Sequence, residues 1–464
     1  MATSVPAVQQ GSTGSRLAPV ARRSSLVVGN ALAVVWLALT AFSLVGTLPG
    51  AARAGYADFF TFFGSAEQWR AGRSLYDWVR LVPGASGPVP GHPNLNHPAT
   101  ALLLAPFTLL SGRDAFLLWT ALGLAAYLLA VTLAARELRL ALRWRHVPVA
   151  LALVLTAPGV VYSLQLGQFG LPLALPVVGA WLLLRRGRPV AAGIILGVLI
   201  ALKPFLALVP LLFLTYNTAR DDDSRQSILA ARHSSFVIRH WCWPGLLATA
   251  AGALGVSLAA LPFVGAGAYR EWLATMGGVT WYDHGLNVSL TGLLYRVVPP
   301  APPVALTWAP TVLAAAAGLL ALTRPAPPGL RRIDRDAGLL LVLAILGSPL
   351  GWLYYTPLLV VPLVALAASW PRLSRARRAG FVVAGALLWT PHILLAALPG
   401  GLWAELTVRA TATYGLIALA LVLGSVPRHG GGRNRATSLW SNEPLASVRQ
   451  EGAIVGGGAS GADV

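Results

Sequence analysis

The chain has little charge. Asp, Glu, Lys and Arg make up 11% of its 464 residues and 56% are hydrophobic, whereas ordinary soluble domains carry about 25% charged residues. A water-soluble globular fold is therefore excluded. Cysteine is nearly absent. Cys242 stands alone, so no intrachain disulfide can form, and its apolar neighbours assign it to packing rather than thiol chemistry. Lysine is as scarce, with Lys203 the only one. No GxGxxG, Walker, HExxH or CxxC pattern occurs, so a nucleotide-using enzyme or a metal hydrolase has no motif to rest on. No acidic cluster calls for a metal, and no metal or cofactor is expected. Neither a repeat of fixed period nor the inverted halves common in transporters is visible.

The net charge of +19 comes from 35 basic against 16 acidic residues. The basic residues fall in short clusters between apolar runs rather than on one patch, which is the signature of a positive-inside membrane topology and not of a nucleic-acid partner. Arginine in place of lysine suggests a GC-rich bacterial genome, and hence the inner (cell) membrane.

What is present is a succession of apolar runs. A crossing helix needs about 20 such residues, and spans are read at 26–48, 115–135, 147–162, 171–184, 244–263, 304–322, 337–351, 356–368, 380–398 and 406–426. The sequence thus predicts an all-α, polytopic integral membrane protein of about ten full spans, with short re-entrant or interfacial helices besides. The first run exceeds a signal-peptide core and is read as a retained span. Residues 98–110 are too short to cross and are placed at the interface. The stretch 190–216 is cut by Lys203-Pro204, and proline interrupts a helix, so it is read as a hairpin with Lys203 at its tip. The polar segments 1–25 and 427–464 are expected to be disordered cytoplasmic tails around a transmembrane domain at 26–426.

With the N-terminus inside, 26 of the 35 basic residues lie in inner segments and eight in outer ones, with Lys203 left in the hairpin. That bias fixes the expected orientation. It leaves two long outer loops, 49–97 and 264–302, as the place for chemistry.

In the first loop Asp58 follows the first span, bracketed by Tyr56, Phe59 and Phe60. A carboxylate there is either a base tuned by partial desolvation or a solvated loop acid. Arg70 and Arg73, in a compartment poor in arginine, suit a lipid phosphate or ordinary headgroup contact. Lys203 is an intramembrane cation, which points to function unless it snorkels to the interface. Gly167-Gln168 offers either an amide for a sugar hydroxyl or a turn. The aromatic segments 281–289, with Asn287, and 348–355, with Trp352, Tyr354 and Tyr355, suit an interface or a sugar-stacking surface.

Several of these segments, taken in order, resemble the polytopic glycosyltransferases of family 87. They are Asp58-Phe59-Phe60, Gly72-Arg73-Ser74-Leu75-Tyr76-Asp77, Asn96-His97-Pro98 leading to Leu104-Ala105-Pro106-Phe107, Gly167-Gln168, Lys203-Pro204, Asn287-Val288-Ser289 and Ser348-Pro349-Leu350-Gly351-Trp352. Family members include actinobacterial mannosyltransferases and an arabinofuranosyltransferase. Two positions depart from the family pattern: Asn96-His97-Pro98-Ala99 replaces an aromatic-Pro-Pro, and Tyr354 and Tyr355 stand where one or two histidines are usual.

The resemblance implies a type C glycosyltransferase fold that moves a sugar, mannose first among candidates, from a polyprenyl-phosphate donor. The acceptor would be a glycolipid or glycan on the outer face, among membrane lipids, and the anomeric carbon would invert. Asp58 would be the general base, with Lys203, Arg73 and Arg70 at the donor phosphate. His97, Gln168, Asn287, Trp352, Tyr354 and Tyr355 are substrate-binding candidates. The alternatives are a pentosyl transferase of the same fold, or a lipid or solute transporter with Lys203 as counter-ion.

Overall fold

The computed structural model describes residues 17–54, 57–76, 79–80, 89–90, 93–140, 143–216, 241–298, 303–327, 329–390 and 401–425. Of the expected tails at 1–25 and 427–464, residues 1–16 and 427–464 lie outside the described residues, as do the connector 217–240, Tyr56 and Asp77, whereas residues 17–25 already belong to a helix. Helices dominate. The exception is a two-residue antiparallel pairing of Val79–Arg80 with Val89–Pro90.

Helix α1 (Leu17–Ala54) starts ahead of the apolar run and buries only 6% of its most apolar window, leaving a surface suited to lipid. Next come α2 (Asp58–Arg70), α3 (Ala99–Leu104) and α4 (Gly112–Glu137). The expected span 147–162 is instead two helices, α5 (Val147–Leu155) and α6 (Pro158–Leu166), bent by 55°. Pro158 lacks an N–H and disfavours helix at the residue before it, so α5 stops and α6 begins afresh. Then follow α7 (Gly170–Arg185), α8 (Pro189–Leu202) and a 3-10 segment Pro204–Leu214.

Helix α9 (Trp243–Gly277) continues well past the expected end at residue 263, bent at Gly265 where φ is +75°. The remaining helices are α10 (Leu290–Val297), α11 (Ala309–Leu322), α12 (Arg332–Gly347), α13 (Val360–Ser369), α14 (Arg375–Leu388), α15 (Leu402–Leu406) and α16 (Thr411–Gly424).

Among the described residues six helical stretches are long and apolar enough to cross a membrane, or seven with the bent α5–α6 pair. Ten full spans are not found. Helices α7 and α12 have 16 residues each, a rise of about 24 Å that falls short of a ~30 Å hydrocarbon core, and the expected span 380–398 lies partly outside the described residues.

The 190–216 stretch folds back on itself. Gly193, early in α8, and Phe213, late in the 3-10 arm, both pack on Gly245 of α9. The Tyr216 hydroxyl donates to the Leu184 carbonyl just before α8 (2.9 Å). Lys203 therefore sits at the tip of a hairpin. The first arm is held tightly: Gly193 and Gly197 of α8 face Gly245, Thr249 and Gly252 of α9 at backbone contact, a spacing that any added Cβ would break. Small residues let membrane helices approach in this way.

Helices α7 and α12 also meet in a buried ionic cluster remote from Lys203. The Arg185 guanidinium donates to both Asp334 oxygens (2.6 Å each) and pairs with Glu137 (3.1 Å), while Trp181 Nε1 donates to Asp334 (2.9 Å). Arg335 pairs with Asp336 (2.6 Å) and donates to the carbonyls of Ala321 and Arg324 at the end of α11. This closes the otherwise unsatisfied C-terminus of that helix. Glu137, Arg185 and Asp334 all fall in segments that the charge count puts on one side of the membrane.

Candidate active site

Asp58 is the first residue of α2, where a carboxylate is favoured by the helix dipole. Its half-buried side chain accepts a hydrogen bond from Gln168 Nε2 at 2.5 Å. The turn that delivers Gln168 depends on Gly167, which caps α6 at φ +64° and has Phe59 so close that a Cβ would lie 2.6 Å from it. Trp119 Nε1 locks the turn by donating to the Gly167 carbonyl (2.9 Å). Gly167-Gln168 is thus both turn and amide donor, but the amide holds Asp58. Gln168 Oε1 is buried and accepts from no described group.

Lys203 faces the same space from the hairpin tip. It is 7% exposed. Its ammonium lies over the rings of Phe169 (4.9 Å to the centroid), Tyr355 (5.5 Å) and Phe62 (5.8 Å), a cation–π cage. It donates to Asn96 Oδ1 at 2.5 Å. Asn96 in turn donates to Asn94 Oδ1 (2.7 Å), Asn94 to Ser65 Oγ (2.8 Å), and Ser65 to the Leu75 carbonyl (2.7 Å). This relay ties the hairpin tip to the first loop. Lys203 therefore stays buried and does not snorkel. The Asp58 carboxylate is near enough to act electrostatically on Lys203, Tyr354 and Tyr355.

Tyr354 and Tyr355 are supplied by a 3-10 segment, Leu353–Leu359, whose Tyr354 carbonyl accepts from Ser163 Oγ of α6 (2.9 Å). Tyr355 stacks on Phe205 (4.4 Å between centroids), Tyr354 packs edge-on against Tyr355 (5.1 Å), and Trp352 stacks on Tyr354 (5.7 Å). Asp58, Gln168, Lys203, Tyr354 and Tyr355 thus gather in one place, with Trp352 at its rim.

The other named residues are placed elsewhere. Arg70 donates to the Thr108 carbonyl and hydroxyl (3.0 and 2.7 Å), bracing α2 on the short helix that follows α3. Arg73 is exposed in the turn after α2. His97 is buried against Tyr269 and Trp272 of α9. Its Nδ1 accepts from Ala99 N (3.2 Å) and its Nε2 meets Ser257 Oγ (3.1 Å), and burial pushes its pKa down to about 4. A neutral ring that clamps the loop to α9 results. Asn287 is fully buried; its amide donates to the Tyr282 and Pro349 carbonyls (2.9 Å each), stitching the 281–289 segment to the strand-like pairing with Trp352.

Asn96 was absent from the candidates although it makes the direct bond to Lys203. The signal lay in the doublet Asn94-Leu95-Asn96, two amides just ahead of a short apolar helix. Among the described residues no group of three His, Cys, Asp or Glu side chains is gathered closely enough to hold a metal ion.

A base and a buried cation facing one space can divide the work of a displacement, one taking a proton from the attacking group and the other steadying negative charge on the leaving group. In comparison with known proteins, a family model described as glycosyltransferase family 87 matches residues 94–349. No curated protein and no solved structure matches the chain.

Proposed function

The chain belongs to glycosyltransferase family 87, a membrane glycosyltransferase, and on that premise we propose that it transfers mannose from a polyprenyl-phosphate donor to a glycolipid or glycan acceptor at the outer face of the cell membrane. Asp58 takes the proton from the acceptor hydroxyl. The oxygen attacks the anomeric carbon from the side opposite the phosphate, the bond from that carbon to the phosphate oxygen breaks, and the configuration inverts. The polyprenyl phosphate leaves with the electron pair, and Lys203 stabilises its growing charge. The donor's single phosphate needs no metal in this scheme.

The observation that carries this reading is the pairing of Asp58, fixed by Gln168, with the caged and buried ammonium of Lys203. A transporter would place its essential charge at the centre of the bilayer without a partner acid at the start of an interfacial helix. An acceptor-side base and a donor-side cation brought together suit transfer better. Arg73, exposed on the same loop, is free to meet the donor as it arrives.

The test is transfer by the purified protein from polyprenyl-phosphate mannose, with the corresponding arabinofuranosyl donor and a nucleotide-linked mannose in parallel. Transfer from the lipid-linked mannose alone is expected. Transfer from the nucleotide donor, or from the pentosyl donor only, would overturn the donor assignment. Orientation is read separately from cysteines placed at Ala71 and Asp283, both exposed, with Arg143 as the opposite-side control. The first two should react with an impermeant thiol reagent in intact cells, and reaction at Arg143 instead would invert the topology. Cys242 is buried and gives little background.

A further inference from the structure

A polar cavity lies beside the 281–289 segment. It is a recess of about 270 Å³, open to the surface, and is lined by Asp283, Gly285, Tyr295, Arg296, Glu405 and Arg409. Arg296 is deeply buried, with its side chain 5% exposed. Its Nη1 donates to the carbonyls of His284 and Asn287 (3.2 and 2.8 Å), and its Nε pairs with Glu405 (3.1 Å). Glu405 also pairs with Arg409. Arg296 Nη2 donates to no described group. A buried guanidinium N–H without an acceptor is costly, and it lines a cavity that could receive one.

From this arrangement we infer that the cavity binds one neutral sugar unit of the acceptor, an assignment that rests on the transferase reading above. Two arginines face two carboxylates, so the lining has no net charge, and an anionic ligand would meet as much repulsion as attraction. A sugar ring uses both signs at once: its hydroxyls donate to Asp283 and Glu405 and accept from Arg296. The Tyr295 ring adds an apolar wall. Sites for drug-sized ligands start at about 300 Å³, so the space suits a single ring.

The cavity is joined rigidly to the reacting centre. His284, between the lining residues Asp283 and Gly285, packs its ring on Trp352 (5.4 Å between centroids). Trp352 stacks on Tyr354, and Tyr354 meets Tyr355, whose ring underlies Lys203. A sugar held in the cavity is thus kept at a fixed remove from the bond-forming site. The accepting hydroxyl then belongs to a different unit of the same glycan, and the enzyme favours acceptors of more than one sugar.

Binding can be read without any donor. Saturation-transfer NMR on the purified protein in detergent would use neutral trisaccharides of mannose, glucose, galactose and arabinose as probes. At least one should bind, and its binding should weaken about tenfold, the effect of losing one hydrogen bond to a charged group, in both Asp283→Ala and Glu405→Gln. Asp283 is exposed, so its replacement should leave the melting temperature unchanged and decides the matter if Glu405→Gln fails to fold. Binding by none of the four sugars, equal binding in wild type and Asp283→Ala, or displacement by inorganic phosphate would each overturn the assignment. Because no transfer occurs in this experiment, a chain that transfers sugar yet ignores the trisaccharides refutes the cavity alone, and one that binds them without ever transferring refutes the transferase reading alone.

Discussion

Helix α7 carries buried charge at both ends, built on opposite plans. At its Arg185 end each carboxylate of the cluster with Glu137, Asp334 and Asp336 faces an arginine, and much of the remaining hydrogen-bonding capacity is taken up by Trp181 and by the carbonyls that close α11. At its Gly170 end, Lys203 lies among aromatic faces with Asn96 as its hydrogen-bond partner, and Asp58 accepts from the Gln168 amide. The first plan spends its charge on holding three helices together. The second sets its cation against an amide and aromatic faces instead. Burial alone therefore does not mark a functional group. How fully its capacity is already spent does.

The contrast can be broken at either end. The largest effect is expected at Asp58. Asp58→Asn keeps the Gln168 contact in altered form but removes the base, so sugar transfer should fall ~10²–10⁴-fold while the melting temperature and donor binding hold; near wild-type turnover would make Asp58 structural. Asp334→Ala should show the reverse. Leaving Arg185 with a broken buried pair costs about 3–5 kcal/mol, visible as a marked fall in melting temperature, with unchanged turnover per folded molecule at low temperature.

Lys203→Met sharpens the comparison further. Removing a charge-assisted contact to phosphate should weaken donor binding about 10–100-fold, measured by titration with the lipid donor, while the protein still inserts. An unchanged donor affinity would return Lys203 to packing. The smallest effect concerns His97. Its pKa of about 4 in the folded protein lies below the ordinary 6.5, so the unfolded chain binds more protons between those values. Stability is complete above pH 6.5 and is lost as pH falls towards 4. By pH 5 a little over half of that contribution should be lost, and His97→Gln should flatten the fall in melting temperature between pH 7 and pH 5.

The hairpin at Lys203 is legible in the sequence because a single lysine followed by proline in a long apolar stretch admits few other folds. Asp58 and Gln168 were named separately, yet their hydrogen bond was not foreseen, since it spans 110 residues and depends on the left-handed turn at Gly167. Among the described residues fewer full spans are found than expected, because several apolar runs stop short. Composition does not reveal that the whole of α12 from Asp334 to Gly347 is buried in protein, so its length need not match the bilayer. Asp334, Arg335 and Asp336 resemble solvated loop charges when only their neighbours in sequence are considered.

The continuation of α9 beyond residue 263 was missed for a similar reason. The bend at Gly265 frees the Phe263 carbonyl, and Trp69 Nε1, 194 residues away in sequence, accepts the task of satisfying it (2.8 Å). Such repairs of an interrupted helix by a distant side chain leave no local trace. The Arg70 and Arg73 expectation treated loop arginines as equivalent, whereas one is taken up by Thr108.

The sheltered position of α12 has a mechanical consequence. A helix in contact with lipid must tilt or thin the bilayer when its length does not match the hydrocarbon thickness, and α1, almost wholly exposed on its apolar window, is of that kind. Helix α12 meets other helices on every side, and it separates the ionic cluster at one end from the aromatic segment bearing Trp352, Tyr354 and Tyr355 at the other. It acts as a strut of set length. Changes in membrane thickness are taken up by the periphery, and the spacing of the two ends of α12 is insulated from the composition of the lipid around them.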